Sequence, residues 1–161
     1  MCVFTKKAPV CGGIVDKSDK KALKTIKSEK LTSFSVSFYL YGKLGRKTGS
    51  SYRISVVKND AGRYVLSEEE NNISCETDEN YLKRIHEVIV KHNLVSSNGI
   101  HRYTSGLPVP FQPCSFTAEY ESGEILSFKM NNDPESAWAG EILLLTGEEF
   151  ARYGIENLKL S

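Results

Sequence analysis

From Leu31 the chain alternates: Phe34, Val36, Phe38 and Leu40 are separated by Ser33, Ser35, Ser37 and Tyr39. A period of two puts the first set on one face of a strand and the second on the other, so this stretch predicts a strand with one buried face. Tyr52, Ile54 and Val56 repeat the pattern beyond the turn-rich residues 42–49, and the two runs read as a hairpin. Asn59-Asp60-Ala61-Gly62 turns the chain once more into Tyr64, Val65 and Leu66, which completes a three-stranded antiparallel meander.

The period then changes. Tyr81, Leu82, Ile85, Val88 and Ile89 recur at spacings of three and four, the stripe of a helix running to about His92. Thr77 is placed to cap it, with Asp78 and Glu79 in the first turn where the helix dipole favours anions. Phe116, Ala118 and Tyr120 alternate again, residues 121–124 turn, and residues 125–130 return as the second half of another hairpin. Pro134 suits the first turn of a closing helix, on which Trp138, Ile142 and Leu145 share a face, with Phe150 and Tyr153 beyond. Thr146-Gly147-Glu148-Glu149 has the form of a capping box, so residues 135–153 read as one kinked helix or two short ones; a strand over 141–145 is a less supported third reading.

The expected fold is α+β: an antiparallel sheet of about five strands, the meander plus the hairpin, with two main helices packed on one face. Residues 31–161 form this single domain. Residues 1–30 are polar and lysine-rich and read as a partly mobile lead-in, with a short helix over residues 19–29 capped by Ser18.

With 161 residues, 40% of them hydrophobic, the chain has the material for one core. No run reaches the roughly 18 apolar residues of a membrane span, and the N-terminus lacks the apolar stretch of a secretory signal. A soluble, cytoplasmic protein is expected. The net charge of +1 hides a division. Residues 1–63 carry 14 Lys/Arg and 4 Asp/Glu, and the remainder carries 7 and 16, so the two parts stand at +10 and −9. The basic part is densest at Lys17, Lys20, Lys21, Lys24, Lys27 and Lys30. It raises nucleic-acid binding as a third functional option, disfavoured because no aromatic residues interleave with these lysines to stack on bases.

Residues 96–113 form the longest irregular stretch, rich in Gly and Pro, and loops of that length are uncommon unless functional or disordered. Leu107-Pro108-Val109-Pro110-Phe111-Gln112-Pro113 favours extended polyproline geometry, with Leu107, Val109 and Phe111 as anchors; Tyr103 and Trp138 would extend the patch. The competing reading folds these side chains down to seal the sheet edge. Cys114 follows the loop and His101 lies inside it, so a thiol and a base could face one another across its mouth. No local hydrolase signature accompanies them. Cys75 before the first helix and the acidic runs 68–70 and 148–149 read as packed and solvated respectively. Lys43, Arg46 and Lys47 form a basic hairpin tip able to hold a phosphate, although the residues lack the order of a P-loop and lead into a strand. Cys2, Cys11, Cys75 and Cys114 contain no closely spaced pair, so neither a metal site nor a cofactor is expected.

The run Ser115-Phe116-Thr117-Ala118-Glu119-Tyr120-Glu121-Ser122-Gly123, followed by Asn132-x-Pro134 and a helix, resembles a family of small uncharacterised proteins common in Gram-positive anaerobes. The resemblance spans about residues 31–150 and implies a bacterial source and the same order of meander, helix, loop, hairpin and closing helix. It implies no reaction. The functional expectation is a non-enzymatic binding or protein-interaction domain that meets its partner through residues 96–113. The alternative is a small hydrolase centred on Cys114 and His101.

Overall fold

Among the residues that the computed structural model describes, 12–42 and 48–156, eight strands and two α-helices form. The strands are β1 (Ile14–Asp16), β2 (Leu31–Tyr41), β3 (Gly49–Lys58), β4 (Tyr64–Glu68), β5 (Ile73–Thr77), β6 (His101–Thr104), β7 (Pro113–Tyr120) and β8 (Ile125–Asn131). The helices are α1 (Glu79–Lys91) and α2 (Ala137–Arg152). One mixed sheet results, in the order β1-β6-β8-β7-β2-β3-β4-β5. Only β6 and β8 run parallel.

The alternation in β2 does what its period requires. Phe34, Val36, Phe38 and Leu40 are buried, and they join Ile54 and Val56 of β3, Leu66 of β4, Phe116 of β7 and Phe128 of β8 in one core. α1 and α2 supply the other side with Tyr81, Ile85, Ile89, Ile142 and Phe150. Among the described residues the opposite face carries no α-helix. Across it, Ser127, Thr117, Ser35, Ser55, Ser67 and Ser74 stand in one register row over six adjacent strands.

The α+β class holds, but the sheet has eight strands and one parallel pair where about five antiparallel strands were expected. β1 and β6, with three and four residues, are too short to show an alternating pattern. β5 was hidden by Thr77, whose character as a helix cap drew its neighbours into a turn. Thr77 instead ends β5 and donates its hydroxyl to Glu149 at 2.8 Å.

Asp78 caps α1, accepting from the amides of Asn80 and Tyr81 at 3.0 and 3.3 Å. Burial works to raise its carboxyl pKa, but the Arg152 guanidinium and the two amides outweigh that and hold it below the ordinary value. A carboxylate depressed in this way contributes stability above its unfolded value, about 4, and the contribution is lost as pH falls through the folded value. Asp78→Ala should therefore cost about 1 kcal/mol at neutral pH. The gap to wild type should close in acid, as urea melts across pH would show.

The predicted helix over residues 19–29 does not form. The chain must travel from the sheet edge at β1 to its centre at β2, and the backbone groups on the way are taken by other elements. Asn98 donates to Leu23 O at 2.8 Å, and the Glu124 carboxylate accepts from the amides of Lys27 and Ser28 at 3.0 and 3.1 Å. Residues 12–30 thus belong to the domain. α2 is one continuous helix. Thr146, read as a cap, lies inside it because its hydroxyl donates back to Ile142 O and meets the Tyr81 hydroxyl at 2.7 Å. The acidic runs are not wholly solvated either. Glu68 is fully buried and accepts from the amides of Arg53, Glu70 and Asn71, and Glu149 is buried against Thr77.

Candidate functional site

The irregular stretch is more ordered than its composition suggests. Residues Leu94–Ser97 make a short 3-10 turn, β6 follows, and a second 3-10 turn spans Val109–Phe111, leaving residues 105–112 as the loop proper. Pro108 and Pro110 fix its backbone, and the amides of Phe111 and Gln112 donate to the carbonyls of Pro108 and Val109 at 2.9 and 3.2 Å. The buried side chain of Asn132 fastens this loop to the sheet. Its amide nitrogen donates to Pro110 O at 2.6 Å and Tyr39 O at 2.8 Å, while its oxygen accepts from the Tyr39 amide at 3.3 Å.

The backbone is thus held, and the side chains stand out. Val109 is 53% exposed and Phe111 40%. Beside them, on the uncovered sheet face, lies a hollow of about 180 Å³ lined by Ser37, Tyr39, Ser51, Arg53, Val109 and Gln112. Its floor is polar: Ser37 and Ser115 hydroxyls meet at 2.8 Å, and Arg53 leans on Glu69 at 3.3 Å. Apolar anchors and hydrogen-bonding groups are therefore adjacent.

The other residues singled out in the sequence separate. Leu107 is half-buried in the loop. Tyr103 lies on the uncovered face with the Lys129 ammonium 4.8 Å from its ring centroid. Trp138 is half-buried and packs against the core, edge-on to Phe38, Phe116 and Phe128 with ring centroids 6.1, 5.8 and 5.9 Å away. Lys43, Arg46 and Lys47 lie outside the described residues, as do Cys2 and Cys11.

Cys114 and His101 are not brought together. His101 Nε2 is 3.5 Å from the Ser127 hydroxyl on the uncovered face, whereas Cys114 alternates with Phe116 and Ala118 on the core face. Cys114 instead lines a cavity of about 280 Å³ with His92, Asn132, Asp133, Ser136 and Trp138. Burial pushes its thiol pKa up to about 11, the Asp133 charge adds to this, and a hydrogen bond from the Met130 backbone opposes it. At neutral pH the sulfur stays protonated, the opposite of what an activated nucleophile needs. His92 Nε2 sits 3.1 Å from Glu141 Oε1 without the alignment of a hydrogen bond.

A further concavity was not visible in the sequence. A groove of about 840 Å³ runs along the outer flank of α1, bounded by residues 28–31 and by Leu82, His86 and Val90. Burial lowers the His86 pKa, against the opposing charges of Glu29 and Glu87, and its Nδ1 lies 3.2 Å from the Tyr120 hydroxyl. One wall is the segment read as a peripheral lead-in, so no single stretch of sequence signals the groove. It is an open trough, and its rim mixes Lys30, Lys83 and Lys91 with Glu29, Glu79 and Glu87.

Among the described residues no group of three His, Cys, Asp or Glu side chains is arranged to hold a metal ion, and no helix is long and apolar enough to cross a membrane. Compared with protein-family models, curated proteins and solved structures, the chain matches none.

Proposed function

We propose that the protein is a non-enzymatic binding domain that captures a protein partner through residues 107–112 and the polar hollow beside them. One observation carries this reading: Val109 and Phe111 are exposed on a backbone pinned by the buried amide of Asn132. Apolar side chains held in place before binding lose little freedom when a partner covers them, which is how a small anchor yields useful affinity. Ser37, Tyr39, Arg53 and Gln112 supply hydrogen-bonding groups for an extended segment lying beside the anchors.

The competing readings have less behind them. A hydrolase would need a thiolate, and the Cys114 thiol is shielded and protonated. Nucleic-acid binding would need free lysines, but Lys24 donates to the carbonyls of Ser96 and Asn98, and Lys30 sits between Glu79 and Glu121. The free thiols of Cys75 and Cys114 fit a reducing compartment such as the cytosol.

A photo-reactive residue in place of the exposed Gln112 would trap the partner in the cell that makes the protein, and the purified partner can then be titrated. The double variant Val109→Ala/Phe111→Ala should bind it roughly 30-fold more weakly, two anchors of ordinary strength having been removed. Its melting temperature should stay within about 2 °C of wild type. Unchanged affinity in that variant, or a large thermal loss, would count against the reading.

A further inference from the structure

The sheet ends in two edges that differ in how they are protected. β1 is three residues long, its Asp16 faces Arg102 across the ladder, and Lys17, Lys20 and Lys21 follow directly. Short length and charge are the usual means of keeping an edge from pairing with another chain. β5 has neither. Its ladder with β4 runs without a bulge from Ile73↔Glu68 to Thr77↔Tyr64, it contains no Lys or Pro, and among the described residues no strand lies on its outer side. α2 meets the strand on the core face, where the Thr77 hydroxyl donates to Glu149.

We infer that two copies of this chain pair through their β5 strands, antiparallel and in register about Cys75. The argument is the strand's own sequence. For the sheet to continue with both helix layers on one side, the core-face residues Ile73, Cys75 and Thr77 must face core-face residues of the second copy, which puts the two-fold axis through a residue. Only the axis through Cys75 pairs all five residues: Ile73 with Thr77, Ser74 with Glu76 and Cys75 with Cys75. In that register each Glu76 carboxylate faces a serine hydroxyl, while its own chain's Arg63 holds it at 3.2 Å. Moving the axis to Glu76 would set two carboxylates directly opposite and lose two pairs. The half-buried Cys75 side chain would lie beside its counterpart, and Ile73 beside Thr77 of the second copy, beneath a sheet twice as wide.

The register makes a charge-specific test possible at Ser74, an exposed residue away from the loop. Sedimentation of the purified full chain over a concentration series should show a monomer–dimer equilibrium. Ser74→Glu places a second carboxylate against Glu76 twice in the dimer, and Ser74→Lys places an ammonium there twice. The first should weaken and the second strengthen dimerisation, each by roughly two- to thirtyfold in Kd. Both variants should keep the melting temperature of the dilute wild type within about 2 °C. In a Cys2→Ser/Cys11→Ser background, copper–phenanthroline should link the dimer through Cys75, because directly opposed residues are roughly 4.5–5.5 Å apart at Cα, within disulfide reach. Adding Cys75→Ser should abolish the link. A chain that stays monomeric to roughly 1 mM overturns the inference. So does a dimer without the Cys75 link, a shift in the same direction for both Ser74 variants, or a monomer that accepts only an added extended peptide at β5.

Discussion

Trp138→Ala is expected to lower stability by about 3 kcal/mol, the lower end of the cost of removing a large ring, because the indole is half-buried against the core. The indole closes the aromatic group of Phe38, Phe116 and Phe128, two of which stack on each other at 5.3 Å. Truncation leaves a void at the point where the start of α2 meets β2, β7 and β8, and the rings around it cannot all move inward. Urea unfolding should show a lower midpoint with an unchanged slope. A loss below about 1 kcal/mol would instead mean that the ring is spare surface, available for docking as the sequence allowed.

Asn132→Ala should cost about 2–4 kcal/mol and should also weaken the partner at the 107–112 loop. The substitution strands the carbonyls of Tyr39 and Pro110 and the Tyr39 amide, all served by one side chain. Because Pro110 sits between Val109 and Phe111, losing its bond frees both anchors. Amide exchange over residues 109–112 should accelerate at temperatures where the rest of the sheet stays protected. Stability lost without faster exchange in the loop would show that Asn132 supports only the strand ends.

Long periodic segments carried most of what could be read in advance. β2, β3, β4, β7 and β8 each repeat an apolar residue at every second position over a buried face, and α1 shows a continuous stripe, so their partners followed from short turns. β1 and β6 were illegible because strands of three and four residues owe their existence to a neighbour's free edge, and β5, as long as β4, alternates only the half-buried Ile73 and Cys75 with polar residues. Thr77 and Thr146 misled for a related reason: local sequence offers them as caps, but Glu149 and Tyr81 from distant segments claim their hydroxyls. At the candidate site, the sequence left open whether Val109 and Phe111 stand out or fold down over the sheet edge, and both are exposed. The role of Asn132 was not anticipated, since a single asparagine after a strand gives no hint that it spans to residues 39 and 110.

The lone parallel pair gives the sheet a seam. Among the described residues, β6 pairs with β8 at His101↔Lys129 and Arg102↔Met130, and β1 has no strand neighbour but β6. Asn98 and Asn131 stitch its two ends, accepting from the amides of Ser127 at 2.8 Å and Thr104 at 2.7 Å. β1 and β6 are therefore fastened to the six strands beyond the seam by few bonds, and their amides should exchange faster than those of β2, β3 and β7.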